Sequence, residues 1–160
     1  MGRNNSYRAG DGRARGQAME QAGSILNTGI RDILTTTRRI ALVGASDKPD
    51  RPAHYVMAFL VARGFDVTGV NPGLAGRTLH GRPVVATLDE AAPLDMVDVF
   101  RASDQVGPVI ADAIRLQART VWMQLGVINP AAAEAAQAAG LHVVMDRCPL
   151  IEWRRLQLPT

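Results

Sequence analysis

Cysteine, aromatic side chains and long apolar runs are scarce in this 160-residue chain, and each scarcity excludes a class of protein. Cys148 is the sole cysteine, so no internal disulfide can form. The three histidines, His54, His80 and His142, do not fall at metal-ligand spacing with it or with one another, which argues against structural zinc. No stretch approaches the roughly 18 continuous apolar residues of a membrane span, and the N-terminus lacks the apolar run of a secretory signal. A cytoplasmic protein without a membrane partner is expected.

Acidic residues are scarce in one region only. Residues 1–39 carry seven Arg against Asp11, Glu20 and Asp32, a balance of +4, whereas residues 40–160 carry 11 basic and 12 acidic residues, a balance of −1. The body of the chain is almost neutral, and its basic character belongs to the N-terminal arm. Few aromatic residues accompany that arm and no nucleic-acid motif follows it, so nucleic acid is disfavoured as a partner. A protein partner or a homo-oligomer stays open.

Hydrophobic residues make up 47% of the chain, ample for the core of one domain. Residues 1–22 combine Gly, Arg, Asn and Ser with almost no large apolar residue, the composition of a disordered arm. In residues 23–38, Ile25, Leu26, Ile30, Ile33 and Leu34 recur at near-helical spacing and predict one or two short leading helices. From 39 to 156 short β-rich runs alternate with helical ones, the pattern of βαβ units in a single α/β domain. Predicted strands cover 40–43, 66–70, 83–87, 95–100, 120–124 and 142–146. Helices are expected to start at Pro52, near Val106, at Pro130 after an Asn129 N-cap, and near Leu150. Right-handed crossovers would arrange five or six strands into a Rossmann-like, doubly wound, mostly parallel sheet of order near 3-2-1-4-5-6.

In such a sheet a ligand lies beyond the carboxyl ends of the strands, where strand order reverses. That point is Gly44, at the head of a loop that runs through Ala45, Ser46 and Lys48 to Arg51 and a helix N-terminus. Free amides and the helix dipole favour an anion there, with Ser46, Arg51 and, secondarily, Lys48 as side-chain donors; the bland alternative is an ordinary strand-to-helix turn that binds nothing. The fingerprint G-x-G-x-x-G is missing after the first strand, the second strand ends Val70-Asn71-Pro72 without an acid, and no Walker loop is present. NAD and nucleotide hydrolysis are both disfavoured, although a small nicotinamide-dependent oxidoreductase or another Rossmann-type enzyme remains the alternative.

Five runs, at 40–52, 70–72, 95–101, 121–127 and 143–148, occur in an order that resembles the small stand-alone CoA-binding protein family and, more distantly, the CoA-binding domain of the succinyl-CoA synthetase alpha subunit. The resemblance covers roughly residues 30–155 and implies a domain that binds coenzyme A or an acyl-CoA as a non-catalytic binding, sensor or accessory protein. It implies that Gly44, Ala45, Ser46, Lys48 and Arg51 meet the phosphates, and that Asn71 and Pro72 lie near the adenosine. Val99, Phe100 and Arg101 would flank the ligand at one strand end, and Met123, Gln124, Leu125 and Gly126 at the next. Relatives commonly carry a basic residue after the Asn-Pro pair where this chain has Gly73; Arg77 is the candidate substitute for a 3′-phosphate contact.

No catalytic triad or acid–base pair is legible. Cys148 follows the last strand on the ligand-facing edge, where Arg147 could favour its thiolate and exchange with the thiol of CoA would be open to it. A buried, inert cysteine is the commoner reading of such a residue.

Overall fold

A computed structural model describes the backbone of residues 11–160 and the side chains of residues 13–18 and 29–160. Residues 1–10 of the expected arm lie outside the described residues, and residues 11–22 depart from expectation. They belong to a single helix, α1 (Asp11–Thr36), continuous with the expected leading helices. Ala, Arg, Gln, Met and Glu dominate residues 13–22, all good helix formers, so local propensity there matters more than the lack of an apolar face. No helix among the described residues is long and apolar enough to cross a membrane.

The domain is a seven-stranded sheet built from β1 (Arg39–Val43), β2 (Asp66–Val70), β3 (Thr78–Leu79), β4 (Arg82–Val85), β5 (Met96–Val99), β6 (Thr120–Met123) and β7 (His142–Val144). The order is β3-β4-β2-β1-β5-β6-β7, all neighbours parallel except the antiparallel β3–β4 pair. The six expected strands thus appear in the expected order, and the short edge strand β3 is added to them. Two residues bearing no apolar alternation give β3 no signature; it forms because the chain turns back on β4 at His80-Gly81.

Alternation along the central strands splits the core into two layers, as period-two side-chain direction requires. Ile40, Leu42, Met96 and Trp122 face one side and pack with α1, α2 (Pro52–Ala62) and α6 (Pro149–Arg155). Ala41, Val43, Val97, Val99, Val121 and Met123 face the other and meet α3 (Leu88–Ala91), α4 (Val106–Arg115) and α5 (Pro130–Ala138). The Asn129 cap is present, its side chain accepting from the Ala132 amide at 3.0 Å.

At the entry to β1, the Asp95 carboxylate accepts the amides of Arg38 and Arg39 at 3.1 and 2.9 Å. Burial pushes this carboxyl up, but those amides and the nearby Arg39 guanidinium outweigh it and hold it below the usual range. Three residues on, Asp98 is fully buried on β5 and its carboxylate has no hydrogen-bond partner among the described residues. Burial therefore pushes Asp98 well above the ordinary carboxylate value.

At the exit of β1, Gly44 has φ +90°, and a Cβ on it would stand 2.1 Å from the Phe100 carbonyl oxygen. The passage of the β5 exit over the turn by itself requires a glycine here. Replacing Gly44 by Ala adds both an unfavourable backbone conformation and a backbone clash; we expect a loss on the order of 3 kcal/mol, read as a lowered urea midpoint.

Asp98→Asn makes a second test. Below the ordinary carboxylate range Asp98 is protonated in both folded and unfolded chains; above about pH 4 only the unfolded chain ionises it, so wild-type stability falls as pH rises. As pH rises above about 4, the wild type's urea midpoint should fall relative to the variant's.

Candidate functional site

A cleft of about 820 Å³ opens at the carboxyl ends of the strands, between the turn after β1, the N-termini of α2 and α6, and the exits of β2, β5 and β6. Its volume lies within the range of small-molecule sites. Of the residues expected at a ligand, the cleft brings together Gly44, Ala45, Ser46, Lys48, Arg51, Asn71, Phe100, Arg101, Gln124 and Leu125.

The turn is held from below. The amides of Gly44 and Ala45 both donate to the Val70 carbonyl at 3.0 and 3.3 Å, so neither is free for a ligand, contrary to expectation. Ser46 Oγ accepts the Lys48 amide at 3.1 Å. The backbone amides of Ser46, Asp47 and Ala53 have no acceptor among the described residues, and Arg51, the N-cap of α2, gives no side-chain cap. The donors left for an anion are thus one step further along the loop than the glycine, at the positive end of the α2 dipole.

Asn71 is expected beside the adenosine, but both ends of its amide are engaged. Nδ2 donates to the Ala45 carbonyl at 2.8 Å and Oδ1 accepts the Gly73 amide at 2.8 Å, so Asn71 clamps the turn from the β2 exit. Pro72 is exposed in a 3-10 turn (Pro72–Leu74) and does not line the cleft. Neither does Arg77, which pairs with Asp47 at 3.1 Å. Its contribution is to offset the one carboxylate on the cleft wall.

Four charged residues line the cleft: Asp47, Lys48, Arg51 and Arg101. With Asp47 paired, the other three form no side-chain hydrogen bond or ion pair among the described residues. This leaves a surplus of positive charge in the cleft, a lining suited to an anion of more than one charge.

Further along the sheet the wall changes character. Phe100 is half-buried against the α2 layer and Gln124 is 4% exposed, its Oε1 without a hydrogen-bond partner among the described residues. Val99 and Met123, expected on the ligand path, are fully buried core residues on the opposite layer, because period-two alternation turns them away from it. Gly126, also expected there, braces the β6 exit: its amide donates to Asp146 at 2.8 Å and its carbonyl accepts from Ser103 Oγ at 3.2 Å.

The far wall is α6. Cys148, 6% exposed, lines the cleft with Leu150 and Ile151. Arg147 does not serve the thiol as expected, since its guanidinium bonds Glu152 at 3.2 Å while its carbonyl accepts the Trp122 indole N–H at 2.7 Å. Glu152, 4% exposed, also pairs with Arg155, so both its cations come from α6 and the residues that lead into it. Sequence reading misses Tyr55, Leu150 and Ile151, which join Leu125 as an apolar rim. Their signal is weak, since an apolar residue on a short helix reads as core. Exposures of 48%, 56% and 47% for Tyr55, Leu125 and Ile151 show that the rim is open. The histidines lie elsewhere, His80 against His54 with ring centroids 4.4 Å apart.

Residues 38–154 match the family model described as "CoA binding domain". The chain is 36% identical over 119 residues to the Bacillus subtilis (strain 168) "Uncharacterized protein YneT", covering 74% of this chain and 87% of that protein. Among solved structures, "cell-free ID.343" from Thermus thermophilus superposes with a TM-score of 0.77 at 37% identity, covering 81% of this chain and 98% of that one. A "hypothetical protein" from Pyrococcus horikoshii OT3 does so with the same score and identity, covering 82% and 92%. Sheet order, cleft position and sequence match agree, and the chain belongs to the CoA-binding domain family.

Proposed function

We propose that the cleft holds coenzyme A or an acyl-CoA, and that the protein acts through this binding as a sensor or accessory rather than as a catalyst. The observation that carries the reading is that one cleft combines two kinds of surface. Lys48, Arg51, Arg101 and the uncapped start of α2 line it together with an apolar rim of Tyr55, Leu125, Leu150 and Ile151. Coenzyme A combines the same two characters, with phosphates at the nucleotide end and a pantetheine thiol or thioester at the other. The pyrophosphate falls to the Ser46 and Asp47 amides and to Arg51, and Arg101 is the cation nearest the onward path. The half-buried Phe100 offers an apolar surface to the pantetheine methyls.

A binding role is supported by the chemistry of the wall. The charged lining is cationic apart from the paired Asp47, which suits holding phosphates, and no acid stands beside a base where a substrate carbonyl would lie. Against a nicotinamide cofactor stands the β2 exit, where Asn71 has both amide ends engaged and no carboxylate is placed for ribose hydroxyls.

Calorimetry with CoA, acetyl-CoA, NAD and NADP tests the reading: heat with the first two and none with the last two is expected, and tight NAD binding without CoA binding overturns it. Arg51→Ala should weaken CoA binding by roughly 1.5–3 kcal/mol, because it removes a charge-assisted hydrogen bond to phosphate and leaves the fold undisturbed. An unchanged affinity removes Arg51 from the site. Rising salt should weaken wild-type binding more than that of the variant, which has one screened charge pair fewer.

A further inference from the structure

We infer that Cys148 is a site of reversible modification, forming a mixed disulfide with the pantetheine sulfur of the nucleotide held in the cleft. The inference rests on the CoA reading above and goes beyond it, from binding to covalent capture.

Three observations converge. The first is reach. The cleft runs across the sheet from β1 over β5 to β6, where the Arg147 amide donates to the Met123 carbonyl at 3.3 Å, so the segment that carries Cys148 stands two strand spacings from the phosphate-binding turn, about 10 Å. The pantetheine arm has about twelve bonds from its phosphate ester oxygen to its sulfur, equal to four residues of extended backbone, and spans at most about 14 Å. A nucleotide anchored at Arg51 and extended along the cleft delivers its sulfur to the wall that holds Cys148.

The second is the orphaned acceptor on that path. Gln124 stands just past the exit of β6, lines the cleft, and is 4% exposed with no partner for Oε1 among the described residues. A buried acceptor left unpaired is destabilising unless a ligand donor meets it. The pantetheine arm carries two amide N–H groups, and one of them reaching Gln124 would fix the arm in register with Cys148. This observation points to a ligand independently of the cysteine.

The third is the state of the thiol. Cys148 is the sole cysteine, 6% exposed, and the part of its surroundings that is open faces the cleft. A disulfide in bulk solvent therefore has poor access, whereas one seated in the cleft meets a wall that carries the thiol.

The step is thiol–disulfide exchange with the symmetric disulfide of CoA as oxidised reactant. The Cys148 thiolate attacks one sulfur of that disulfide. The S–S bond of the reactant breaks, a new one forms between Cys148 Sγ and the held pantetheine, and the second CoA leaves as a thiolate that takes up the proton Cys148 gave. Cys148 is oxidised and one CoA is reduced; a small thiol reverses the step.

The test uses the full chain, reduced and freed of reductant, incubated with CoA disulfide and followed by intact mass spectrometry. One adduct per chain is expected, a mass gain of one CoA less two hydrogens, removed by dithiothreitol and formed at least about tenfold faster than the adduct with glutathione disulfide at equal concentration. Because there is one cysteine, the adduct locates itself without a variant. Gln124→Ala should slow modification by CoA disulfide and leave that by glutathione disulfide unchanged. Calorimetry of the reduced chain with CoA separates the two readings. CoA binding without an adduct overturns the capture and leaves the binding reading standing; absence of CoA binding overturns both. Equal rates with the two disulfides show that the cleft does not direct the exchange, which also overturns the inference.

Discussion

The geometry of this protein depends on how the turn after β1 is tied to its two neighbouring strands. From the β2 side, the Val70 carbonyl takes two successive amides and Asn71 adds a third hydrogen bond to the Ala45 carbonyl. From the β5 side, the Phe100 carbonyl presses so close that only a glycine fits beneath it. A turn held this way cannot shift toward either neighbour, so the loop beyond it leaves the sheet at a fixed angle and starts α2 with its amides unfilled. The anion-binding character of the cleft follows from that rigidity, because amides that need no rearrangement to meet a phosphate lose little on binding it.

Much of this is legible in the sequence. Continuous apolar runs ending at Gly44 and Phe100, the Pro52 and Asn129-Pro130 helix starts, and the alternation of strand and helix together dictate the strand order. What is not legible shares a cause: roles decided by partners distant along the chain. Asn71 and Arg77 look like ligand contacts because they are polar and sit in the right loop, yet each is engaged within the protein, by Ala45 and Gly73 in one case and by Asp47 in the other. Val99 and Met123 fall on the expected path only if a whole strand end lines the site, whereas alternation gives a ligand only every second residue. Residues 11–22 mislead for the opposite reason, since composition without an apolar stripe hides strong local helix preference.

The rim residues show the limit of pattern reading. Tyr55, Leu125 and Ile151 belong to three segments separated by dozens of positions, and nothing in any one segment marks its apolar residue as exposed. Only the fold brings them to one edge. Their openness fits a family whose ligand ends in a thiol or a thioester, where an apolar margin accepts chains of differing length without a closed pocket.

Trp122 connects this wall to the interior. Its ring is fully buried on β6 and its indole N–H is held by the carbonyl of Arg147, the residue immediately before the cysteine. Any displacement of that segment lengthens this hydrogen bond and alters the polarity around the excited indole. The molecule thus carries its own optical gauge, in which the emission colour of a core tryptophan registers the position of a wall it never touches from the solvent side.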